Sequence, residues 1–329
     1  MVIGMEEIRV AARQVLDPAR VSRDPRSGRL DRDGTAPDTV ALRLAFRPPY
    51  GWRQVRDFLA TRQVPGVERV DARGYARTIR SQGGYAIVGV RPLDGEYALE
   101  LRVCGAKPAE LFQISSDARR MFDLAADPAR ISAALRPDAL VGPLIRRRPG
   151  LRIPGAWDPF ECAVRAVLGQ QVTVAGSRTL AARLVARFGE PVEGSADGLT
   201  HLFPSAAVLA DADLEGLGLT RARGRALQAL AGAVSIGAVD FQAPAADVAV
   251  ALAALPGIGS WTAQYVALRA LGEPDAFPAA DLVLRRMAAA GSVPLTTRAL
   301  EARAEAWRPW RSYATLHLWC AAGARPRSG

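Results

Sequence analysis

The stretch LPGIGSWTAQYVALRALGEPDAFPAAD, from Leu255 to Asp281, places a tight turn, a helical run and a lone carboxylate in that order. Pro256 stops a preceding helix, and Gly257 and Gly259 permit backbone geometry that a Cβ would hinder. Ile258 can point into a core and pin the turn, with Leu255 beside it, and Ser260 is expected to cap the next helix. A helix start with bare amides suits a phosphate oxygen, through a contact that ignores base sequence. The turn's carbonyls suit a monovalent cation. Asp281 can act as counter-charge and general base. An ordinary helical corner and a simple N-cap aspartate fit the same residues.

The elements that must position these groups come from a chain of 329 residues, 49% of them hydrophobic, long enough for two or three domains. A net charge of +10 fits a nucleic-acid partner. Lys107 is the only lysine, so the charge is an arginine bias, which coding composition explains equally well. Cys104, Cys162 and Cys320 are scattered, and with only His201 and His317 available they predict neither a disulfide framework nor a metal site formed by side chains. No signal peptide and no membrane span are evident, so a cytoplasmic, nucleoid-associated protein is expected.

Residues 1–40 crowd Pro, Gly, Asp and Arg without apolar periodicity and read as a flexible extension. Residues 41–105 read as a small α+β domain, with strand-like TVALRLAF, GVERVDA, YARTIR, GYAIVGVRP and YALELRV around a helical PPYGWRQVRDFLATR. From 106 to 329 the strand signals vanish. FECAVRAVLGQQVTVAGSRTLAARLVARF and its neighbours repeat apolar residues at helical spacing. The fold class is therefore α+β, with an antiparallel sheet followed by a helical core. Asp158-Pro159-Phe160-Glu161 predicts a helix start.

The hairpin stretch resembles the signature of the helix–hairpin–helix (HhH-GPD) DNA glycosylases. The nearest likeness is to the bacterial 3-methyladenine DNA glycosylase II family, the AlkA type. RPPYGWRQVRDFLATR, LRIPGAWDPFECAVRAVLGQQVTVA and WRPWRSYATLHLWCAAG extend the resemblance over roughly residues 40–325 in the family's order. The resemblance implies a glycosylase core of two subdomains with a cleft between them. It implies Asp281 as the catalytic carboxylate and Tyr265, Trp319 and Phe58 as pocket residues. Trp261 is a further candidate for the lining, although each aromatic also fits core packing. Trp307 and Trp310 read as helix-packing residues. The expected partner is double-stranded DNA with alkylated bases. A base must leave the stack to be reached, and a cationic base prefers aromatic faces.

Trp261 stands where bifunctional members of the superfamily carry a lysine, so a Schiff-base lyase is disfavoured and water is the expected nucleophile. The cysteines cannot supply the iron–sulfur centre of the endonuclease III branch, and no cofactor is expected. Gln170 and Gln171 occupy the DNA-wedge position, where the best-known member has leucine at the second place. Ala280 stands where that member has an acidic residue. Arg178, Arg221, Arg223 and Arg225, and in the same way Arg62 and Arg285, are candidate phosphate contacts or simply a solvated face. A monomer is the simplest expectation. A non-catalytic lesion binder, a glycosylase for other damaged bases and a piece of a longer adaptive-response protein are the alternatives.

Overall fold

The computed structural model describes residues 39–192, 198–289 and 291–323. The extension predicted for residues 1–40 lies, up to residue 38, outside the described residues. Five antiparallel strands, β1 (Thr39–Ala45), β2 (Glu68–Asp71), β3 (Gly74–Ser81), β4 (Gly84–Pro92) and β5 (Ala98–Cys104), form one sheet in the order β1-β5-β4-β3-β2. Alternation drives the pairing. Ala86, Val88 and Val90 of β4 turn to one face beside Leu99, Leu101 and Val103 of β5, all buried. Helix α1 (Trp52–Arg62) lays Val55 and Leu59 on that face. Helix α2 (Leu111–Met121) adds Leu111, Ile114, Ala118 and Met121 to the same core.

Helices α3 (Pro128–Leu135), α4 (Gly142–Arg147), α5 (Pro159–Leu168) and α6 (Val174–Phe188) follow. Asp158 caps α5 by accepting from Glu161 N at 3.0 Å, with Pro159 in the first turn, as the sequence predicts. The long FECAVRAV…LVARF run is two helices rather than one. It breaks at 169–173, where Gln171 takes a left-handed φ of 55°. A second departure follows α6. Strands β6 (Glu190–Pro191) and β7 (His201–Leu202) pair in a short antiparallel ladder inside the helical half. Next come α7 (Ala206–Ala210), α8 (Arg221–Ser235), α9 (Ala245–Ala253) and α10 (Ser260–Arg269). The chain closes with α11 (Leu282–Met287), α12 (Thr297–Ala304) and α13 (Arg311–Gly323).

The helices bury two cores. Leu168, Leu184, Leu227, Leu230 and Leu252 belong to one, and Leu135, Ile145, Leu284, Leu300, Trp307 and Leu318 to the other. Segment 126–153 thus packs with the C-terminal helices, not with its neighbours in sequence. Helix α10 serves both cores, Ala263 and Val266 on one side and Ala267 and Leu268 on the other.

Strand β3 is covered on both faces. Its Arg77 shares a face with Tyr75 and Ile79, opposite Val88, and is 3% exposed. Its guanidinium donates to Glu161 Oε2 at 2.6 Å across the seam to α5. Arg165 donates to Glu161 Oε1 at 2.8 Å and Glu68 Oε2 at 2.9 Å, and Tyr75 donates to Glu68 Oε1 at 2.8 Å. Two carboxylates and two guanidiniums therefore pair inside the molecule, which offsets the desolvation of each.

Candidate active site

Asp281 ends the FPAA loop and opens α11. Its Oδ1 accepts from Leu284 N at 2.9 Å, so the N-cap reading holds. Two further donors arrive from separate helices. Trp261 Nε1, on α10, donates to Oδ2 at 3.0 Å, and Trp319 Nε1, on α13, donates to Oδ1 at 3.3 Å. A carboxylate offers about four lone-pair positions, so three donors leave Oδ2 able to accept one more. Among the described residues no basic side chain pairs with Asp281. The carboxylate is thus fixed in position without a counter-charge and opens on a cavity of about 680 Å³.

That cavity lies between the sheet domain and the two helical cores. Phe58, Trp157, Trp261, Tyr265 and Trp319 line it, together with Arg62, Arg165, Arg178, Arg269 and Cys162. Trp261 and Tyr265 stack on each other with ring centroids 5.2 Å apart, so no base fits between them. Tyr265 and Trp319 are tilted at 6.2 Å and form a corner beside Asp281. Phe58 lines the cavity with its ring already covered. The Arg62 guanidinium lies 3.7 Å from its ring centroid and that of Arg269 lies 4.5 Å away. Trp307 and Trp310 pack into the second helical core and stay out of the cavity.

Arg269 is a residue that the sequence reading missed. It is 6% exposed, holds the carbonyls of Pro154 and Gly155, and donates to Tyr265 Oη at 2.7 Å. The available signal was the i, i+4 spacing from Tyr265 on one helix face.

The hairpin sits at the rim. Ile258 is buried in the first helical core, as expected, and Leu255 packs against it. Gly257 has a φ of 78°, and a Cβ there would come 2.7 Å from Ala226 Cβ on α8, so both conformation and space require glycine. Gly259 has no such need. Its φ is −91°, it is the N-cap of α10, and a Cβ there would meet nothing within 4 Å. Ser260 is the first residue of α10 and gives no capping bond, contrary to expectation, so the first amides of α10 have no side-chain cap. Pro256 lies just beyond α9, in the turn itself. Two of the carbonyls considered for a cation are engaged, Leu255 O by Ile258 N and Gly257 O by Gln170 Nε2.

The two glutamines separate. Gln170 is half-buried and donates to Gly257 O at 2.9 Å and Thr262 Oγ1 at 3.3 Å, so it braces the hairpin instead of protruding. Gln171 is exposed, just ahead of the exposed Val172 and Val174. Arg223 donates through Nη2 to the Gln170 carbonyl. Arg285 likewise donates to Leu295 O, and Arg62 is inside the cavity. Arg178, Arg221 and Arg225 remain exposed, as does Ala280.

Residues 41–158 match the AlkA N-terminal domain, and residues 164–312 match the HhH-GPD superfamily base excision DNA repair protein model. The Escherichia coli K12 DNA-3-methyladenine glycosylase 2 is 36% identical over 289 residues, 86% of this chain and 98% of the relative. The chain belongs to the HhH-GPD superfamily of base excision DNA repair proteins. The probable bifunctional transcriptional activator/DNA repair enzyme AlkA of Mycobacterium tuberculosis is 41% identical over 287 residues, 85% of this chain. The chain spans 57% of that relative's length. The solved 3-methyladenine DNA-glycosylase of Archaeoglobus fulgidus superposes with a TM-score of 0.74 at 22% identity, over 86% of this chain and 98% of that one. The Clostridium acetobutylicum 8-oxoguanine glycosylase/lyase with bound DNA gives 0.59 at 16%, over 79% and 98%. At such identities the likeness establishes the fold. Among the described residues no helix is long and apolar enough to cross a membrane, and no three His, Cys, Asp or Glu side chains gather as metal ligands.

Proposed function

We propose that the protein is a monofunctional DNA glycosylase that removes alkylated purines, 3-methyladenine foremost and 7-methylguanine with it, from duplex DNA. The observation that carries this reading is the unpaired Asp281 carboxylate, held by two indole N–H groups at the edge of the aromatic cavity. An N-alkylated purine is cationic and already a good leaving group. What remains is to stabilise the oxocarbenium-like sugar and to supply water. Asp281 Oδ1, saturated by Leu284 N and Trp319 Nε1, carries the counter-charge. Oδ2, with one position open, orients the water and takes its proton. The tilted faces of Tyr265 and Trp319 receive the extruded base.

The α10 amides at Gly259 and Ser260 grip a strand phosphate, with Arg178 and Arg221 as further phosphate contacts. Gln171, with Val172 and Val174 following it, fills the gap in the stack. Trp261 holds the position of the superfamily's lysine, so no covalent sugar adduct forms. The protein works as a cytoplasmic monomer in three units: a sheet domain and two helical subdomains.

The test is release of free base from methylated duplex DNA, comparing the wild type with Asp281→Asn. Release that is lost in the variant supports the assignment, and equal release from both removes Asp281 from its role. Tight binding to abasic DNA without any release would make the protein a lesion binder, and a borohydride-trapped adduct would refute the single-step mechanism.

A further inference from the structure

A second cavity, of about 190 Å³, shares no lining residue with the first among the described residues. Pro48 and Pro49, between β1 and α1, and Pro128 of α3 line it. Arg148 and Arg152, just beyond α4, and His317 of α13 complete the polar part of its wall. His317 precedes Trp319 by two positions, about 200° around the helix. The cavity therefore backs the helix whose indole donates to Asp281.

Two polar atoms of these lining residues have no partner among the described residues, His317 Nδ1 and Arg152 Nε. Their residues are only 4% and 1% exposed. Arg152 commits its other nitrogens to the carbonyls of Arg47, Pro49, Asp123 and Ala126, so Nε is what it has left. Arg148 is half-buried, and among the described residues its guanidinium has neither an ion pair nor a hydrogen bond. Asp123 faces Arg152 without lining the cavity, and no other described carboxylate lines it. Arg130, Arg146 and Arg147 stand exposed on α3 and α4, also without a paired carboxylate among the described residues, so the field around the cavity draws anions. Buried polar atoms left unmet are costly, and one ligand that meets several of them at once is bound by all.

We infer that this cavity is a phosphate site, in which the anion is held by the Arg148 guanidinium, Arg152 Nε and His317 Nδ1. The inference stands apart from the glycosylase reading and needs no base release. The three groups come from the end of α4, the segment after it and α13. Such a spread suits a tetrahedral anion better than a planar carboxylate. The volume is several times the roughly 30 Å³ that one water takes in the liquid. The imidazole selects among tetrahedral anions. A neutral ring has one N–H and one bare nitrogen. Hydrogen phosphate carries acceptor oxygens and an O–H, so it meets Nδ1 in either tautomer, whereas sulfate has no proton to give. The guanidiniums supply the charge-assisted bonds. The same group arrives either as the free ion or on a nucleotide.

The experiment is an NMR titration of the isotope-labelled full chain with inorganic phosphate, sulfate and thymidine monophosphate at constant ionic strength, read on the imidazole nitrogens. The chain has two histidines, so His201 serves as the internal control. Phosphate should move the His317 Nδ1 resonance saturably and leave His201 in place. Sulfate should bind about tenfold more weakly, and Arg148→Ala should weaken phosphate by about tenfold or more. A nucleotide that binds tighter than the free ion places the phosphate on a nucleotide, and one that binds more weakly assigns the site to the free ion. The inference is overturned if His317 shows no saturable movement, if sulfate binds as well as phosphate, or if Arg148→Ala binds phosphate as tightly as the wild type. If Arg148→Ala does not fold, the wild-type comparison of phosphate with sulfate at His317 decides by itself.

Discussion

Asp138 and Asp281 are built alike and do different work. Asp138 lies in the turn before α4, accepts from Leu140 N at 2.8 Å and Val141 N at 3.0 Å, and takes the Trp307 indole N–H at 3.0 Å. Asp281 caps α11 and takes two indole N–H groups. The difference is the cation. Arg303 pairs with Asp138 at 2.7 Å, and among the described residues no basic side chain pairs with Asp281. Burial pushes the Asp138 carboxyl upward, but the bonds from Arg303, Val141 N, Trp307 and Leu140 N outweigh it and hold it at about 2. Its charge is spent on holding the second helical core together. The charge of Asp281 faces the cavity without a paired guanidinium among the described residues. An aspartate that accepts backbone and tryptophan N–H groups is thus tied into the core when a guanidinium closes it, and keeps an unneutralised charge when none does.

Four experiments sharpen or break this contrast. The largest effect is expected from Asp281→Asn, which keeps an oxygen for Leu284 N but removes the charge. Base release should fall by about 10²–10⁴-fold, read in single turnover, with the melting temperature little changed. A loss of stability equal to that of an Asp138 variant would dissolve the distinction.

Next is Asp123, a third aspartate, buried and bonded to Ile153 N and to the Tyr313 hydroxyl. Burial raises it to about 6 in spite of Ile153, Arg152 and Tyr313. Stability from this group is present at low pH and is lost as pH rises from its unfolded value, near 3.9, through 6. His317 does the reverse. Burial, then Arg148, lowers it to about 4, so its contribution is complete above 6.5 and is lost as pH falls through 4. The two largely cancel in the wild type. Asp123→Asn leaves His317 unopposed, and thermal melts should show stability rising by about 2 kcal/mol more than in the wild type between pH 4 and 6.5. Parallel pH profiles would show that the two groups do not offset each other.

Asp138→Asn should cost about 2 kcal/mol in a urea titration, with base release per folded molecule unaltered. Smallest is Trp319→Phe, which keeps a ring but removes one donor to Asp281 Oδ1. It should slow base release by about tenfold, near 1.4 kcal/mol. An unaltered rate would mean that the indole bond does not position the carboxylate.

Much of this site was legible because its parts are local. The hairpin, Asp281 and Tyr265 lie within one stretch, and glycine, proline and aspartate state their roles through backbone geometry. Ile258 and Asp158 behave as their neighbours in sequence dictate. What was not legible is where long side chains end. Arg62 and Arg223 are arginines among many, and nothing in their spacing tells that one enters the cavity while the other holds the Gln170 carbonyl. Arg77 shares the apolar face of β3 with Tyr75 and Ile79, and the carboxylate that pairs with it there comes from Glu161 on α5, 84 residues away. Ser260 failed as a cap because the turn ends one residue earlier, at Gly259. Phe58 lines the cavity, but its ring lies against both Arg62 and Arg269, which no spacing announces.

The seam between β3 and α5 also bears on how the molecule can be divided. Glu161 and Arg165 draw half their ionic partners from Arg77 and Glu68 on the sheet. A shortened chain beginning at α3 would leave Glu161 and Arg165 paired only with each other, on a helix face stripped of its sheet partners. Trimming the sheet away would therefore require rewriting that helix face in apolar residues in the same step, and a catalytic fragment made by simple deletion should be insoluble.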